Sequence, residues 1–464
     1  MRKSAVFLAL LATGCASMQP AYVRPDSAIP ASWPTGDAYL RQSEADLPSV
    51  TYRDIFRDPR LQTLIEQALL NNRDLAVAAA NISAAREQVR VQRAQQFPQV
   101  DAGASVTATD SGSDTSVRYQ AGLSVQSFEV DLFGRLRSLT DVQRNRYLAT
   151  EAAARATRLA LVSDIADAWL TYAADSSLLR IAEDTVTSAE KSVKLTRARL
   201  EGGIAPRTDL RQAEQVMENA KADAAGQRTA LAQDVNLLRL LIGAEIDPKL
   251  LPVSINQAAP TVAELPAGLD SQVLLRRPDV VEAEFQLRAA NAQIGAARAA
   301  LFPRISLTGL LGLASTALGS LFSGGAFAWS AGGDATYTIF QAGAGRANVR
   351  LTEAQKAAAL ATYQKTIQTA FREVSDALAR HGTMGVQLRA RQAQQAAAAD
   401  TYLLTEARYR NGIDSFLGSL DAQRSYYSAQ RTLVLSRLEA ASNLVDLYRS
   451  LGGDSLLTTP RPAG

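Results

Sequence analysis

The sequence predicts a mainly α-helical, internally duplicated protein that also carries four membrane-type β-strands. Three observations lead there. None of the 16 prolines lies between Pro98 and Pro206 or between Pro303 and Pro460, whereas Pro248, Pro252, Pro260 and Pro266 crowd a central connector. Proline breaks interior helix, so the two Pro-free tracts predict long helices. Within each tract a short stretch switches to a period of two, the period of a strand. Finally, the pattern is written twice. Asn72-Arg73-Asp74 answers Arg277-Pro278-Asp279 and Phe97-Pro98 answers Phe302-Pro303, both at an offset of 205. Beyond the second hairpin the offset becomes 209, where Gly134, Leu195-Thr196 and Gly203-Ile204 answer Gly343, Leu404-Thr405 and Gly412-Ile413.

The first element is an address. Met1-Arg2-Lys3 is basic, and Ala5 to Ala12 is an unbroken apolar run. That run is far short of the roughly 20 residues that span a bilayer and fits a secretory signal over residues 1–14. Leu11-Ala12-Thr13-Gly14 before the chain's single cysteine, Cys15, resembles a lipobox, so Cys15 is the expected lipidation site and mature N-terminus. Residues 15–59 form a Pro-rich extension.

The first repeat is expected over residues 60–244. Arg60 to Phe97 is rich in the helix formers Ala, Leu, Gln and Arg, and Pro98 ends it. A hairpin over residues 99–131 follows. Val100, Ala102, Ala104, Val106 and Ala108 alternate with Asp101, Gly103, Ser105, Thr107 and Thr109, and the return strand sets Tyr119, Ala121, Leu123 and Val125 on one parity. Strands of about ten residues, apolar on one face and small or polar on the other, fit a transmembrane barrel. A long helix is then expected from about Gly134 to Glu201, stopped by Gly202-Gly203, and a return helix from about Thr208 to Ile242. Each long helix would span on the order of 100 Å. Val162, Ala166, Trp169 and Ala173 follow the spacing of a coiled-coil seam.

After the connector at residues 245–270, the second repeat covers 271–452. It has a hairpin over 304–340, with Ile305, Leu307, Leu311 and Leu313, then Phe327, Trp329, Ala331 and Tyr337, on the apolar face. Helices are expected from about Gly345 to Arg410 and from about Gly418 to Leu451, and residues 453–464 form a tail.

Four strands cannot close a barrel, and open edges in hydrocarbon are forbidden. Several copies must therefore pool their strands. An eight-stranded barrel is filled by its own side chains, so a wet lumen calls for three copies or more.

Composition removes other functions. Lys+Arg 49 against Asp+Glu 46 leaves no electrostatic footprint for nucleic acid. One Cys and one His exclude cysteine clusters and multi-histidine metal sites, and no cofactor is expected. His381 is expected as a helix-surface residue. The acidic pairs Glu282/Glu284 and Asp164/Asp167 are expected on solvated helix faces rather than as acid–base machinery, and no nucleophile–base pattern supports an envelope hydrolase. A non-transporting periplasmic coiled-coil lipoprotein is the alternative reading, but it leaves both hairpins without a purpose.

If the hairpins cross a membrane, the far ends of the long helices form a tip. That places Gly202–Leu210 and Asn411–Asp421 together, with Asp209 and Tyr409 at the same end. Leu417 and Asp421, four apart, share a helix face.

The chain resembles the TolC-like outer-membrane efflux factors of the OprM/NodT lipoprotein branch. The resemblance is carried by Tyr52-Arg53-Asp54-Ile55-Phe56-Arg57-Asp58-Pro59, Glu129-Val130-Asp131-Leu132-Phe133-Gly134-Arg135, Tyr409-Arg410-Asn411-Gly412-Ile413-Asp414 and Asn443-Leu444-Val445-Asp446-Leu447-Tyr448. It implies a homotrimer with a 12-stranded β-barrel in the outer membrane, an α-barrel in the periplasm and an equatorial belt. The implied work is passive export of drugs or other small molecules. The implied partners are a periplasmic adaptor, an inner-membrane pump of the resistance-nodulation-division type, and outer-membrane lipid. By resemblance, Leu417 and Asp421 form rings narrowing the closed tip. Asp209 and Tyr409 latch it through hydrogen bonds, and Asp414 replaces an Arg that adds a second latch in TolC itself.

Overall fold

The computed structural model describes residues 17–25, 30, 34, 51–112, 115–263 and 271–453. Cys15, the signal segment, most of the N-terminal extension, the end of the connector and the C-terminal tail lie outside the described residues. The helices are α1 (Tyr52–Ile55), α2 (Pro59–Asn71), α3 (Arg73–Ala94), α4 (Arg135–Glu201), α5 (Arg207–Ile242), α6 (Ile255–Ala258), α7 (Pro278–Ala299), α8 (Ala344–Arg410) and α9 (Phe416–Ser450). The strands are β1 (Asp101–Asp110), β2 (Thr115–Glu129), β3 (Arg304–Ser315) and β4 (Phe327–Thr336). Both expected outbound helices end at the expected residues, Glu201 and Arg410. The expected helix over Arg60–Phe97 is broken at Asn72, whose ψ of 134° is extended. The chain divides into two compact units.

One unit holds residues 79–152 and 281–366 with the N-terminal segment. Its centre is an antiparallel sheet in the order β1-β2-β3-β4, so β2–β3 joins the two repeats and β1 and β4 are the edges. The register aligns the parities predicted from alternation. Ala102, Leu123, Leu311 and Trp329 form one row across all four strands, and Gly103, Gly122, Gly312 and Ala328 form a neighbouring row of the opposite parity. Leu123, Leu311 and Trp329 are 48%, 53% and 70% exposed, an apolar row left uncovered among the described residues. Below the sheet Glu129 accepts from Arg135 Nε and Nη2 at 2.7 Å each, and Phe133 stacks on Phe302 at 4.6 Å. The N-terminal segment lies along α7, where Asn291 Nδ2 donates to the Pro20 carbonyl at 2.8 Å.

In the same unit Glu284 departs from the expected solvated face. It is buried and ion-paired to Arg24 and Arg288, both at 2.6 Å. A buried carboxylate requires such compensation, and Arg24 arrives from 260 residues away.

The other unit holds residues 51–78, 153–263, 271–280 and 367–453. Its core packs the coiled-coil seam against the short helices and connector. Trp169 is fully buried, donates Nε1–H to the Leu250 carbonyl at 3.1 Å and lies under the Arg60 guanidinium. Phe56 meets Tyr448 edge-on at 5.3 Å. The duplication extends to single bonds. Asn72 Nδ2 holds the Leu241 carbonyl at the end of α5, at 2.8 Å. Its repeat partner Arg277 holds the Ser450 carbonyl at the end of α9, at 2.7 Å.

Candidate functional site at the helix tips

The tip is built by two copies of one helix-stop device. Gly203 and Gly412 take φ of 73° and 74°, the left-handed region that glycine enters without a Cβ penalty. Ile204 N then donates to Arg199 O and Ile413 N to Arg408 O, both at 2.9 Å. Each turn thereby closes the last carbonyls of its outbound helix and sends the chain back as α5 or α9. Ile204 and Ile413 stay exposed at the two turns.

A small core sits behind the turns. Val193, Leu210, Ala213, Tyr409, Phe416 and Leu420 are buried together. The Tyr409 and Phe416 rings are 5.3 Å apart. Tyr409 is 5% exposed, and its hydroxyl lies 3.5 Å from Thr196 Oγ1. Leu417 is 54% exposed and Asp421, four residues on along α9, is exposed as well, so both side chains are accessible in the single chain.

Tyr409 and Asp209 belong to the same tip, but no hydrogen bond joins them within the chain. Asp209 stands in the first turn of α5, beside the buried Leu210. Asp414 holds Arg408 of its own hairpin, with Nε–Oδ2 at 2.6 Å and Nη2–Oδ1 at 3.1 Å. Hydrogen bonding from Arg408 holds the Asp414 carboxyl below its ordinary range.

Sequence reasoning missed Arg199. Its Nη2 donates to the carbonyls of Tyr409 and Arg410, each at 3.1 Å, and its guanidinium lies 4.5 Å from the centre of the Tyr409 ring. The signal was present in the repeat. Arg199 corresponds to Arg408, but Ala205 stands where the second half has Asp414, so Arg199 lacks the carboxylate that holds Arg408.

Further up the helices Tyr427 donates to Asp223 Oδ2 at 2.7 Å, tying α9 to α5. Burial, then Asp223, pushes the Tyr427 hydroxyl up to about 12. The expected acidic pair Asp164/Asp167 is split by its surroundings. Asp164 is exposed and pairs with Arg449, whereas burial pushes half-buried Asp167 up to about 6. Asp234 also rises to about 6 through burial and the neighbouring carboxyl of Asp175. These groups face helix neighbours, and no group of three or more potential metal ligands occurs among the described residues. His381 is half-buried on α8. No helix among the described residues is long and apolar enough to cross a membrane.

The outer membrane efflux protein family model matches residues 64–244 and 269–453, one match per repeat. The chain is 44% identical over 466 residues to the toluene efflux pump outer membrane protein TtgC of Pseudomonas putida, covering 98% of this chain and 96% of that one. It is 40% identical over 467 residues to the outer membrane protein OprJ of Pseudomonas aeruginosa, covering 98% and 97%. The open state of the MtrE outer membrane channel of Neisseria gonorrhoeae superposes with a TM-score of 0.86 at 34% identity, over 95% of this chain and 98% of that one.

Proposed function

Because the chain belongs to the outer membrane efflux protein family and is the outer-membrane channel of a tripartite efflux system, we propose that it works as a homotrimer gated at its periplasmic tip. The observation that carries the trimer is the four-stranded sheet with both edges open beside an uncovered apolar row. Three copies supply twelve strands, enough to close the edges and leave a lumen. The helices agree with this. α3 buries no residue in its own chain, although Val77 and Val91 on it are 58% and 65% exposed.

The duct is passive. The energy comes from an inner-membrane pump of the resistance-nodulation-division type, coupled through a periplasmic adaptor, and the cargo is drugs or other small molecules. Residues 60–244 and 271–452 are the two structural repeats, joined by the equatorial connector 245–270. Residues 1–14 are removed, and Cys15 carries the lipid that anchors the N-terminus in the outer membrane. Cys15→Ser loses acyl labelling in cells yet still reaches the membrane, because the barrel itself inserts. Undiminished labelling of that variant rules out Cys15 as the anchor.

At the tip, three-fold copies of Leu417 form an apolar constriction and three-fold copies of Asp421 an anionic ring that favours cations. Both side chains are exposed in the single chain and four residues apart, as a lumen-facing pair must be. Tyr409 and Asp209, which form no bond to each other among the described residues of one chain, latch between neighbouring helix pairs. Single-channel recording of the purified protein under an asymmetric KCl gradient tests this. Asp421→Ala moves the reversal potential toward zero, and Leu417→Ala raises conductance. A reversal potential for Asp421→Ala equal to the parent's means that Asp421 does not line the narrow point.

A further inference from the structure

We propose that Arg199 is a positioning residue of the gate: it reaches from the first tip hairpin to the end of α8 and holds the two hairpins together in the resting state. The inference rests on the tip-gate reading above and adds to it a residue from the other half of the duplication.

The geometry is that of a helix C-cap supplied by a distant side chain. The last carbonyls of a helix lack intrahelical partners and carry the negative end of its dipole. Arg199 donates to the carbonyl of Arg410 and, beside Gly412 N at 3.0 Å, to that of Tyr409, with a permanent positive charge. The same guanidinium lies over the Tyr409 ring at 4.5 Å, within the range of a cation–π contact. Tyr409 is buried and the bond to its carbonyl is part-buried, so water competes poorly there, whereas the bond to Arg410 is exposed. The link spans the duplication, joining residues 210 and 211 positions apart.

The duplication explains why Arg199 does this and Arg408 does not. The two arginines occupy equivalent places one turn before equivalent glycine stops. In the second hairpin Asp414 captures Arg408 in a bidentate pair. In the first hairpin the matching position is Ala205, so Arg199 is left to reach across to the other helix. Any opening that parts the first hairpin from the end of α8 must break two charged hydrogen bonds and one ring contact. Lysine cannot reproduce this, because its ammonium is a compact point charge without the planar fork that bonds and stacks at once.

Two variants of the full-length protein test the link. Arg199→Ala removes it. Ala205→Asp keeps Arg199 but offers it a carboxylate in its own turn, copying the Arg408–Asp414 pair. Each variant is expected to raise the open-to-closed ratio in planar-bilayer recordings in KCl at least about tenfold, since the loss of even one charged hydrogen bond has roughly that effect. Arg199→Lys is expected to fall between them and the parent. In the double variant Ala205→Asp adds nothing to Arg199→Ala, since both remove the same link. Spin labels at the exposed tip positions, through Ile204→Cys and Ile413→Cys, give a second reading, in which the label-to-label distances lengthen and broaden in both variants. The melting temperature of the assembly stays at the parent's value, which separates a gate link from a general loss of fold. Unchanged distances and unchanged channel opening in Arg199→Ala and Ala205→Asp overturn the proposal. Distances that lengthen without any change in conductance keep the Arg199 link and instead count against the tip as the gate.

Discussion

Gly122→Val is expected to leave the helices intact and to abolish closure of the barrel. Gly122 and Gly312 face each other across β2 and β3, the pair that joins the two repeats. A Cβ built on Gly122 would stand 2.5 Å from the Leu311 carbonyl oxygen and 2.6 Å from the Gly312 Cα. On Gly312 it would stand 2.3 Å from the Ala121 carbonyl oxygen. The obstructing atoms are backbone, so no side chain can swing away. The strands must separate, and the ladder bonds there are lost in a medium that offers no replacement. Overpacking of this kind costs about 1–3 kcal/mol in a core that can adjust, and the cost recurs in every copy of the ring. Gly103 is the internal control, since it lies in the same row but nothing stands within 4 Å of an added Cβ. Cross-linking in mild detergent should trap three-protomer species for the parent and for Gly103→Ala, and only smaller species for Gly122→Val. A normal yield of the three-protomer species from Gly122→Val refutes the close-approach argument.

Arg277→Met is expected to destabilise the helical unit by about 3 kcal/mol, the lower end of the range for breaking a buried charge network. The Arg277 side chain is 9% exposed. It donates to the Ser450 carbonyl at 2.7 Å, to Asp279 Oδ2 at 2.8 Å and to Glu373 Oε2 at 2.9 Å. Methionine fills much of the volume but leaves two carboxylates facing each other and the last carbonyl of α9 unpaired. Asp279 and Glu373 are 40% and 41% exposed, and water reaching them keeps the loss at the low end. Asn72→Ala at the repeat-equivalent position removes a neutral hydrogen bond to Leu241 and the cap on Leu75 N, and should cost about 2 kcal/mol. Urea unfolding followed by circular dichroism in detergent compares them. Equal midpoints for Arg277→Met and the parent would show that the network contributes nothing.

Much of this architecture is legible in the chain because its signals are local. Glycine stops after Glu201 and Arg410 end the long helices where glycine must, since a left-handed residue is needed there and little else adopts it. Alternation assigned the strand faces before any pairing was known, because side chains of a strand point to opposite sides in turn. The break at Asn72 was not legible. Nothing in Asn71-Asn72-Arg73 forbids helix as proline would. The break is held by a side chain that caps Leu75 N at 3.0 Å and reaches Leu241, 169 residues away. Glu284 looked like a solvated acid for the same reason, since Arg24 is remote in sequence.

At the tip the division is sharp. By itself the sequence determined the duplication and, through residues within one helical turn of each other, the helix and strand types, the two turns and the shared face of Leu417 and Asp421. Only the tertiary structure decided that Tyr409 packs with Phe416 and Thr196, and that Arg199 closes the end of α8. Charged hydrogen bonds act over about 3 Å, and only the packing of the two hairpins decides which donor comes that near to which carbonyl.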